Sequence, residues 1–266
     1  MSDNPASPIL LFDSGVGGLT VYDALRKVLP EAPVIYAADL AGLPYGSKTE
    51  SQIAARVAGL LGRMAERFRP RLVCIACNTA STIALGMVRD VLELPVVGTV
   101  PAIKPAAALT QTGTIGLVGT EATIRQAYVD ELEAQFANGK RLLRVAAPGL
   151  VAAAEAKLRG QAVDPALIDD VRDRLTAMPG GPDIDALVLA CTHFPLLGEE
   201  LAAAFGSDVR QVDGAAGIAR RIAHLLEGQE FAAQGPNRFI VTGPLAGAEG
   251  LEAALASRGF GPAEVF

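Results

Sequence analysis

The chain has 266 residues, half of them hydrophobic, and a formal net charge of −6. This length can fill one large or two modest domains, and the acidic balance, without any run of lysine or arginine, argues against a nucleic-acid or anionic-membrane surface. The apolar runs are shorter than the roughly 18 residues of a membrane span, and residues 1–8 lack the basic and apolar regions of a secretory signal. We therefore expect a cytoplasmic protein whose partners are small molecules, with no nucleic acid and no membrane among them.

The first predicted strand, residues 9–12, breaks into a glycine-rich stretch, residues 13–18, ahead of a helical pattern. Backbone N–H groups at such a loop suit a carboxylate. The arrangement is also similar to the dinucleotide fingerprint G-x-G-x-x-G, and Asp39 stands near the end of the second predicted strand, residues 34–38. Thr20 occupies the place of the third glycine, so a nicotinamide oxidoreductase is the weaker alternative. If the chain does not bind a dinucleotide, Asp39 simply marks the end of the second strand.

A loop containing Pro44, Tyr45 and Gly46 comes next. Ser47 with Glu50 matches the capping-box pattern, in which a hydroxyl side chain and an acidic side chain three residues later bond the free N–H groups at a helix start. Apolar residues then recur at helical spacing, which indicates a helix that faces the core.

The apolar run at residues 72–76 ends at Cys77, and Asn78 and Thr79 follow it. Such a run indicates a buried parallel strand, and ligands bind at the carboxyl ends of such strands. Cys74 and Cys77 form a C-x-x-C pattern, but three strand residues separate them by roughly 10 Å, beyond the reach of a disulfide. Cys74 is therefore expected to be a core residue.

The second half repeats this order. A predicted strand, residues 115–119, leads to a turn with Thr120 and Thr123, and a later apolar run, residues 187–190, ends at Cys191. In both halves, a turn with glycine and hydroxyl residues comes first, and a strand that ends in Ala-Cys comes later. This shared order favours an internal pseudo-repeat.

The repeat predicts an α/β fold of two pseudo-symmetric domains with mainly parallel central sheets. We expect the first domain to comprise residues 1–98 and 210–266, with Cys77, and the second to comprise residues 99–209, with Cys191. The expected active site lies between the two halves, with a thiol on either side.

Two such thiols suggest inversion of a carbon stereocentre. One thiolate removes a proton from the carbon and the other thiol returns a proton to the opposite face, and a cysteine pKa of about 8.5 lies close enough to neutrality for both roles. His193 and Asp13 are the candidates that assist the thiols. The other residues imply neither a metal nor a cofactor. The alternatives are inert buried cysteines and a non-catalytic ligand-binding protein, which leaves the paired cysteines unexplained.

Five motifs, in this order, resemble those of the glutamate racemases in the cofactor-independent aspartate/glutamate racemase superfamily. They are Phe-Asp-Ser-Gly-Val-Gly-Gly-Leu at 12–19, Pro-Tyr-Gly at 44–46, Ala-Cys-Asn-Thr-Ala-Ser at 76–81, Gly-Thr-x-x-Thr at 119–123 and Cys-Thr-His-Phe-Pro-Leu-Leu at 191–197.

The resemblance implies two α/β domains and a two-cysteine mechanism. Cys77 would be the base acting on D-glutamate and Cys191 the base acting on L-glutamate, with assistance from Asp13, His193 and Glu155. The implied substrate contacts are Asp13, Ser14, Tyr45, Gly46, Asn78, Thr79, Thr120, Thr123, Thr192 and His193.

The resemblance further implies that the product, D-glutamate, feeds bacterial peptidoglycan synthesis. Residues 100–105 and 154–158 resemble the subset of relatives that a cell-wall precursor activates, so such an activator is a hypothesis here. A homodimer is left open. Aspartate racemisation is the nearest rival activity, because one methylene in the substrate contributes only about 1–3 kcal/mol of discrimination.

Overall fold

A computed structural model describes residues 4–266, so the first three residues of the expected first domain lie outside the described part of the chain. The chain divides into two compact units. Unit 1 runs to Thr99 and resumes over Ala215–Phe266, and unit 2 is Val100–Gly214.

The strands within residues 4–266 are short and mostly buried. In chain order they are β1 (Ile9–Asp13), β2 (Val34–Ala38), β3 (Leu72–Ile75), β4 (Val96–Gly98), β5 (Thr114–Gly119), β6 (Arg141–Ala146), β7 (Ala186–Ala190), β8 (Arg210–Val212), β9 (Asn237–Val241) and β10 (Phe260–Val265).

Helices alternate with these strands, as expected for parallel pairing. They are α1 (Leu19–Val28), α2 (Glu50–Phe68), α3 (Asn78–Val91), α4 (Ile103–Leu109), α5 (Glu121–Ile124), α6 (Ala127–Phe136), α7 (Gly149–Leu158), α8 (Pro165–Thr176), α9 (Gly198–Phe205), α10 (Ala215–Leu225) and α11 (Glu252–Ala256).

Unit 1 contains a six-stranded sheet in the order β10-β9-β2-β1-β3-β4, and unit 2 contains a four-stranded sheet in the order β6-β5-β7-β8. Neighbouring strands are parallel throughout both sheets. The predicted α/β fold with mainly parallel sheets is thereby confirmed. The buried faces of these strands explain their near-continuous apolar sequences.

The strand order also confirms the pseudo-repeat. In unit 1 the strands β2-β1-β3-β4 occupy the same sequence of places as β6-β5-β7-β8 in unit 2. In each set, the third strand in chain order, β3 or β7, is followed by one of the two candidate catalytic cysteines. Cys77 and Cys191 therefore stand at equivalent positions of two similar sheets.

One local prediction differs from the structure. Thr49 and Gln52, not Ser47 and Glu50, form the capping box of α2, because Ser47 belongs to a 3-10 turn, Tyr45–Ser47, and its hydroxyl donates to the Pro44 carbonyl at 3.1 Å.

A 3-10 turn, Phe194–Leu197, follows β7 and leads into α9. Another 3-10 turn, Leu245–Ala248, precedes α11. Between residues 4 and 266, each helix is too short or too polar to cross a membrane.

Candidate active site

The Cys77 thiol lies at the start of a helix. Its residue follows β3 and caps α3, and its sulfur accepts the Ala80 N–H at 3.5 Å. The Ser14 hydroxyl is 3.4 Å from the same sulfur. Since the amino end of a helix carries a partial positive charge, the Ala80 N–H and the helix favour a negative charge on this sulfur, and the Ser14 hydroxyl is close enough to donate a hydrogen bond to the thiolate.

Asp13 shapes the glycine loop that carries Ser14. Its fully buried carboxylate accepts the N–H of Ser14 at 2.9 Å and the N–H of Gly18 at 2.7 Å. The Tyr36 hydroxyl reaches the same carboxylate at 3.3 Å and the Gly15 carbonyl at 3.0 Å. Asp13 thus holds Ser14 in place, and Tyr36 is a member of this group that sequence patterns did not indicate.

The other residues predicted in the first half lie around Cys77. Asn78 and Thr79 are buried in the first turn of α3. The Tyr45 ring packs in the same apolar cluster as Cys77, and Gly46 follows it in the 3-10 turn. Unit 1 therefore brings its predicted residues to the carboxyl ends of β1, β2 and β3.

The Cys191 thiol, just after β7, has a different set of neighbours. Its sulfur is 3.8 Å from His193 Nδ1, and His193 Nε2 is 3.0 Å from Glu155 Oε1 on α7. Arg159 Nη1 donates to Glu155 Oε2 at 2.7 Å and to the Glu155 carbonyl at 2.9 Å. The result is a buried chain of groups that leads from the thiol through an imidazole to a carboxylate.

Glu155 is ionised throughout the physiological pH range. Burial raises its pKa, but the hydrogen bonds and positive charges of His193 and Arg159 outweigh burial and bring the pKa to about 2. Ionised Glu155 accepts a hydrogen bond from His193 Nε2 and orients the imidazole with Nδ1 toward the Cys191 sulfur, so His193 is placed to exchange a proton with this thiol. Arg159, four residues after Glu155 on one helix face, was not predicted.

The predicted threonines of unit 2 are buried near the same strand ends. Thr120 caps α5 by accepting the Thr123 N–H at 3.2 Å, and the two hydroxyls are 3.0 Å apart. Gly119 pairs with Ala190, which places the residues after them, Thr120 and Cys191, at adjoining strand ends. Thr192, next in the chain, is also buried.

Cys74 provides a contrast with the two candidate thiols. It is fully buried within β3, and burial raises the pKa of its thiol. Each of the three cysteines is free of a disulfide, as expected for the C-x-x-C pair. In the part of the chain that the structure describes, residues 4–266, no group of three or more His, Cys, Asp and Glu side chains is arranged to hold a metal ion.

Residues 19–222 match the family model described as Asp/Glu/Hydantoin racemase. A glutamate racemase of Sphingopyxis alaskensis is 62% identical over 229 residues, which cover 86% of this chain and 85% of that protein.

Two solved structures extend the similarity to the fold. The glutamate racemase of Escherichia coli, in complex with L-glutamate and the activator UDP-MurNAc-Ala, superposes with a TM-score of 0.91 and 41% identity over 98% of both chains. The glutamate racemase of Francisella tularensis, in complex with D-glutamate, superposes with a TM-score of 0.79 and 27% identity over all of this chain and 98% of that one.

Proposed function

Because the chain belongs to the Asp/Glu/Hydantoin racemase family, as its motifs indicated, we propose that it interconverts L- and D-glutamate in the cytoplasm and supplies D-glutamate for peptidoglycan synthesis. The observation that carries this function is the pair of buried thiols at equivalent strand ends of two similar sheets, each with its own proton-handling neighbours. The 62% identity to a glutamate racemase supports glutamate rather than aspartate as the substrate.

In the D-to-L direction, the Cys77 thiolate removes the α-proton of D-glutamate and becomes a thiol. The Cys191 thiol delivers its proton to the opposite face of the α-carbon and becomes a thiolate. One proton leaves and one arrives, so L-glutamate forms with no net redox change. The L-to-D direction exchanges the roles of the two sulfurs.

The two thiols are prepared for these roles by different means. A serine hydroxyl and the start of α3 favour charge on Cys77, whereas His193, held by ionised Glu155, can take the proton of Cys191. Since a positioned base contributes typically 10²–10⁴-fold to a rate, losing either thiol is expected to abolish most of the activity.

The remaining predicted residues would bind the substrate. Hydroxyl, amide and backbone donors near strand ends suit the two carboxylates and the ammonium group of glutamate. In unit 1 these residues are Asp13, Ser14, Tyr45, Gly46, Asn78 and Thr79, and in unit 2 they are Thr120, Thr123, Thr192 and His193.

Three matched cysteine variants test the mechanism. Purified wild type, Cys77→Ala, Cys191→Ala and the control Cys74→Ala are each incubated with L- and D-glutamate, and with L-aspartate, without pyridoxal phosphate or added metal. Chiral chromatography should show glutamate racemisation by wild type and Cys74→Ala, and a loss of at least about a hundredfold in the other two. Full activity in either Cys77→Ala or Cys191→Ala would remove that thiol from the mechanism, and faster turnover of aspartate would reject glutamate as the substrate.

A cell-wall precursor is the proposed activator. The E. coli relative was crystallised with UDP-MurNAc-Ala as its activator, and residues 100–105 and 154–158 of this chain resemble the activated subset. Adding UDP-MurNAc-Ala to the purified enzyme should raise the racemisation rate. An unchanged rate over a full concentration series would reject activation.

A further inference from the structure

Asp39 is the centre of a buried hydrogen-bond network in unit 1. Its carboxylate is fully buried, and each oxygen accepts two donors. Oδ2 accepts the Tyr45 hydroxyl at 2.5 Å and Arg56 Nε at 2.5 Å. Oδ1 accepts Arg56 Nη2 at 2.6 Å and the Thr242 hydroxyl. All lone pairs of the carboxylate are thereby used.

The network connects segments that are distant in sequence. Asp39 follows β2, and its N–H donates to the carbonyl of Asp13 at the end of β1. Arg56 belongs to α2, Thr242 follows β9, and Tyr45 begins the 3-10 turn Tyr45–Ser47. The turn is thus fixed to the same sheet edge that carries Asp13.

Gly42 leaves the space that this network needs. A Cβ atom at this position would lie 2.6 Å from Arg56 Nε and 2.8 Å from the Tyr45 ring, and would also collide with the Asp39 carboxylate. Any larger residue would therefore displace at least one member of the group.

The Tyr45 hydroxyl has one proton, and that proton is directed to Asp39. Burial and the Asp39 charge both raise the pKa of this hydroxyl, so it stays protonated. The ring packs in the apolar cluster that contains Cys77. The Tyr45–Ser47 turn therefore contributes a fixed backbone position beside Cys77, since the Tyr45 hydroxyl is already bonded to Asp39.

On the basis of the glutamate racemase activity proposed above, we propose that Asp39 and Arg56 are positioning residues that hold the Tyr45–Gly46 turn beside Cys77 and so set the affinity for glutamate. Neither residue needs to touch the substrate for this role. Arg56 is suited to it because a guanidinium bonds a carboxylate through two parallel contacts and fixes its orientation.

The test compares two buried tyrosines of unit 1 whose hydroxyls each donate a hydrogen bond, Tyr45 to the Asp39 carboxylate and Tyr22 to a backbone carbonyl. Tyr45→Phe removes the hydroxyl that secures the turn. Tyr22→Phe is the matched control, since Tyr22 is equally buried, lies on α1 of the same unit, and has a hydroxyl that donates to the Arg258 carbonyl at 2.6 Å. Both variants lose one buried hydrogen-bonding group.

Tyr45→Phe should raise KM for both enantiomers about tenfold while kcat changes by less than about twofold, because a hydrogen bond to a charged group typically accounts for a factor of this size. Tyr22→Phe should lower thermal stability about as much as Tyr45→Phe does. It should leave KM unchanged. A purely structural role would lower the folded fraction and hence kcat, without changing KM. An unchanged KM in Tyr45→Phe, or an equal rise in both variants, would overturn the assignment.

A double-mutant cycle separates action through Asp39 from direct contact of the hydroxyl with the substrate. If Tyr45 acts through Asp39, the KM of Asp39→Asn/Tyr45→Phe should equal that of Asp39→Asn alone. Multiplicative effects of the two substitutions would reject the positioning role. If the wild type fails to racemise glutamate, the proposed function fails as well, whereas an active wild type with an unaffected Tyr45→Phe variant rejects only the network's role.

Discussion

Replacing Glu155 with glutamine keeps the shape of a buried side chain and removes its charge. In the folded chain the carboxylate lies 3.0 Å from His193 Nε2 and 2.7 Å from Arg159 Nη1, and its pKa falls from 4.5 to about 2. A difference of about 2.5 pH units corresponds to ~3 kcal/mol at ~1.4 kcal/mol per unit. Glu155→Gln should therefore lower the free energy of unfolding at neutral pH by up to ~3 kcal/mol.

The pH dependence has a definite sign. Because the pKa is lower in the folded than in the unfolded chain, the contribution of Glu155 is complete above about pH 4.5 and disappears as the pH falls toward about 2. Urea unfolding of wild type and Glu155→Gln across this range should give curves that converge at low pH. Glu121→Gln is the control, since Glu121 forms a similar i,i+4 pair with Arg125 but both side chains are exposed, and its effect should stay below ~0.5 kcal/mol.

The same substitution should slow the reaction. Loss of the anion beside His193 removes a charged hydrogen-bond partner, typically ~1.5–3 kcal/mol, so kcat from L-glutamate should fall about ten- to a hundredfold. Since the two enantiomers have equal free energies in water, kcat/KM must fall by one common factor in both directions. Equal stability losses in Glu155→Gln and Glu121→Gln, a pH-independent difference, or an unchanged kcat would refute this account of Glu155.

Three further substitutions probe unit 1. Ser14→Ala removes the hydroxyl that lies 3.4 Å from the Cys77 sulfur. It should lower both kcat and the rate of Cys77 alkylation by iodoacetamide about tenfold, and leave thermal stability unchanged. An unaltered alkylation rate would show that the hydroxyl does not act on the thiol. Gly18→Ala places a Cβ 2.8 Å from the Tyr36 hydroxyl and should destabilise the fold by ~1–3 kcal/mol. Gly59→Ala, in open space on α2, should instead stabilise it by ~0.5–1 kcal/mol in urea unfolding, and equal effects at both glycines would contradict this reading.

The sequence was informative where a local pattern has one structural solution. The apolar runs before Cys77 and Cys191 could be assigned to buried parallel strands because both faces of such strands are covered. Their repetition then predicted two similar sheets, and the strand orders agree. The positions of both thiols at strand ends follow from the same pattern.

A local pattern gave the wrong residues where two neighbouring pairs matched the same motif. Ser47 with Glu50 and Thr49 with Gln52 both match a capping box, and the bond from Ser47 to the Pro44 carbonyl leaves Thr49 as the residue that caps α2.

The remaining members of the candidate site come from contacts between distant segments. Tyr36 reaches Asp13 across 23 residues, and Thr242 reaches Asp39 across 203. No periodicity or motif encodes such a meeting, so Tyr36 was not predicted and Asp39 was interpreted as a strand end. Arg159 is the exception, because its i,i+4 spacing from Glu155 was visible in the sequence once Glu155 was a candidate.

The central claim is that two separate thiols handle the two protons, and early isotope incorporation tests it most directly. Protiated L-glutamate is incubated with the wild-type enzyme in deuterium oxide, and both enantiomers are separated and analysed by mass spectrometry at low conversion. Two bases predict D-glutamate that carries deuterium at the α-carbon beside L-glutamate that is still protiated. D-glutamate that retains the original proton, or L-glutamate that gains deuterium as fast as product forms, would contradict the two-thiol mechanism.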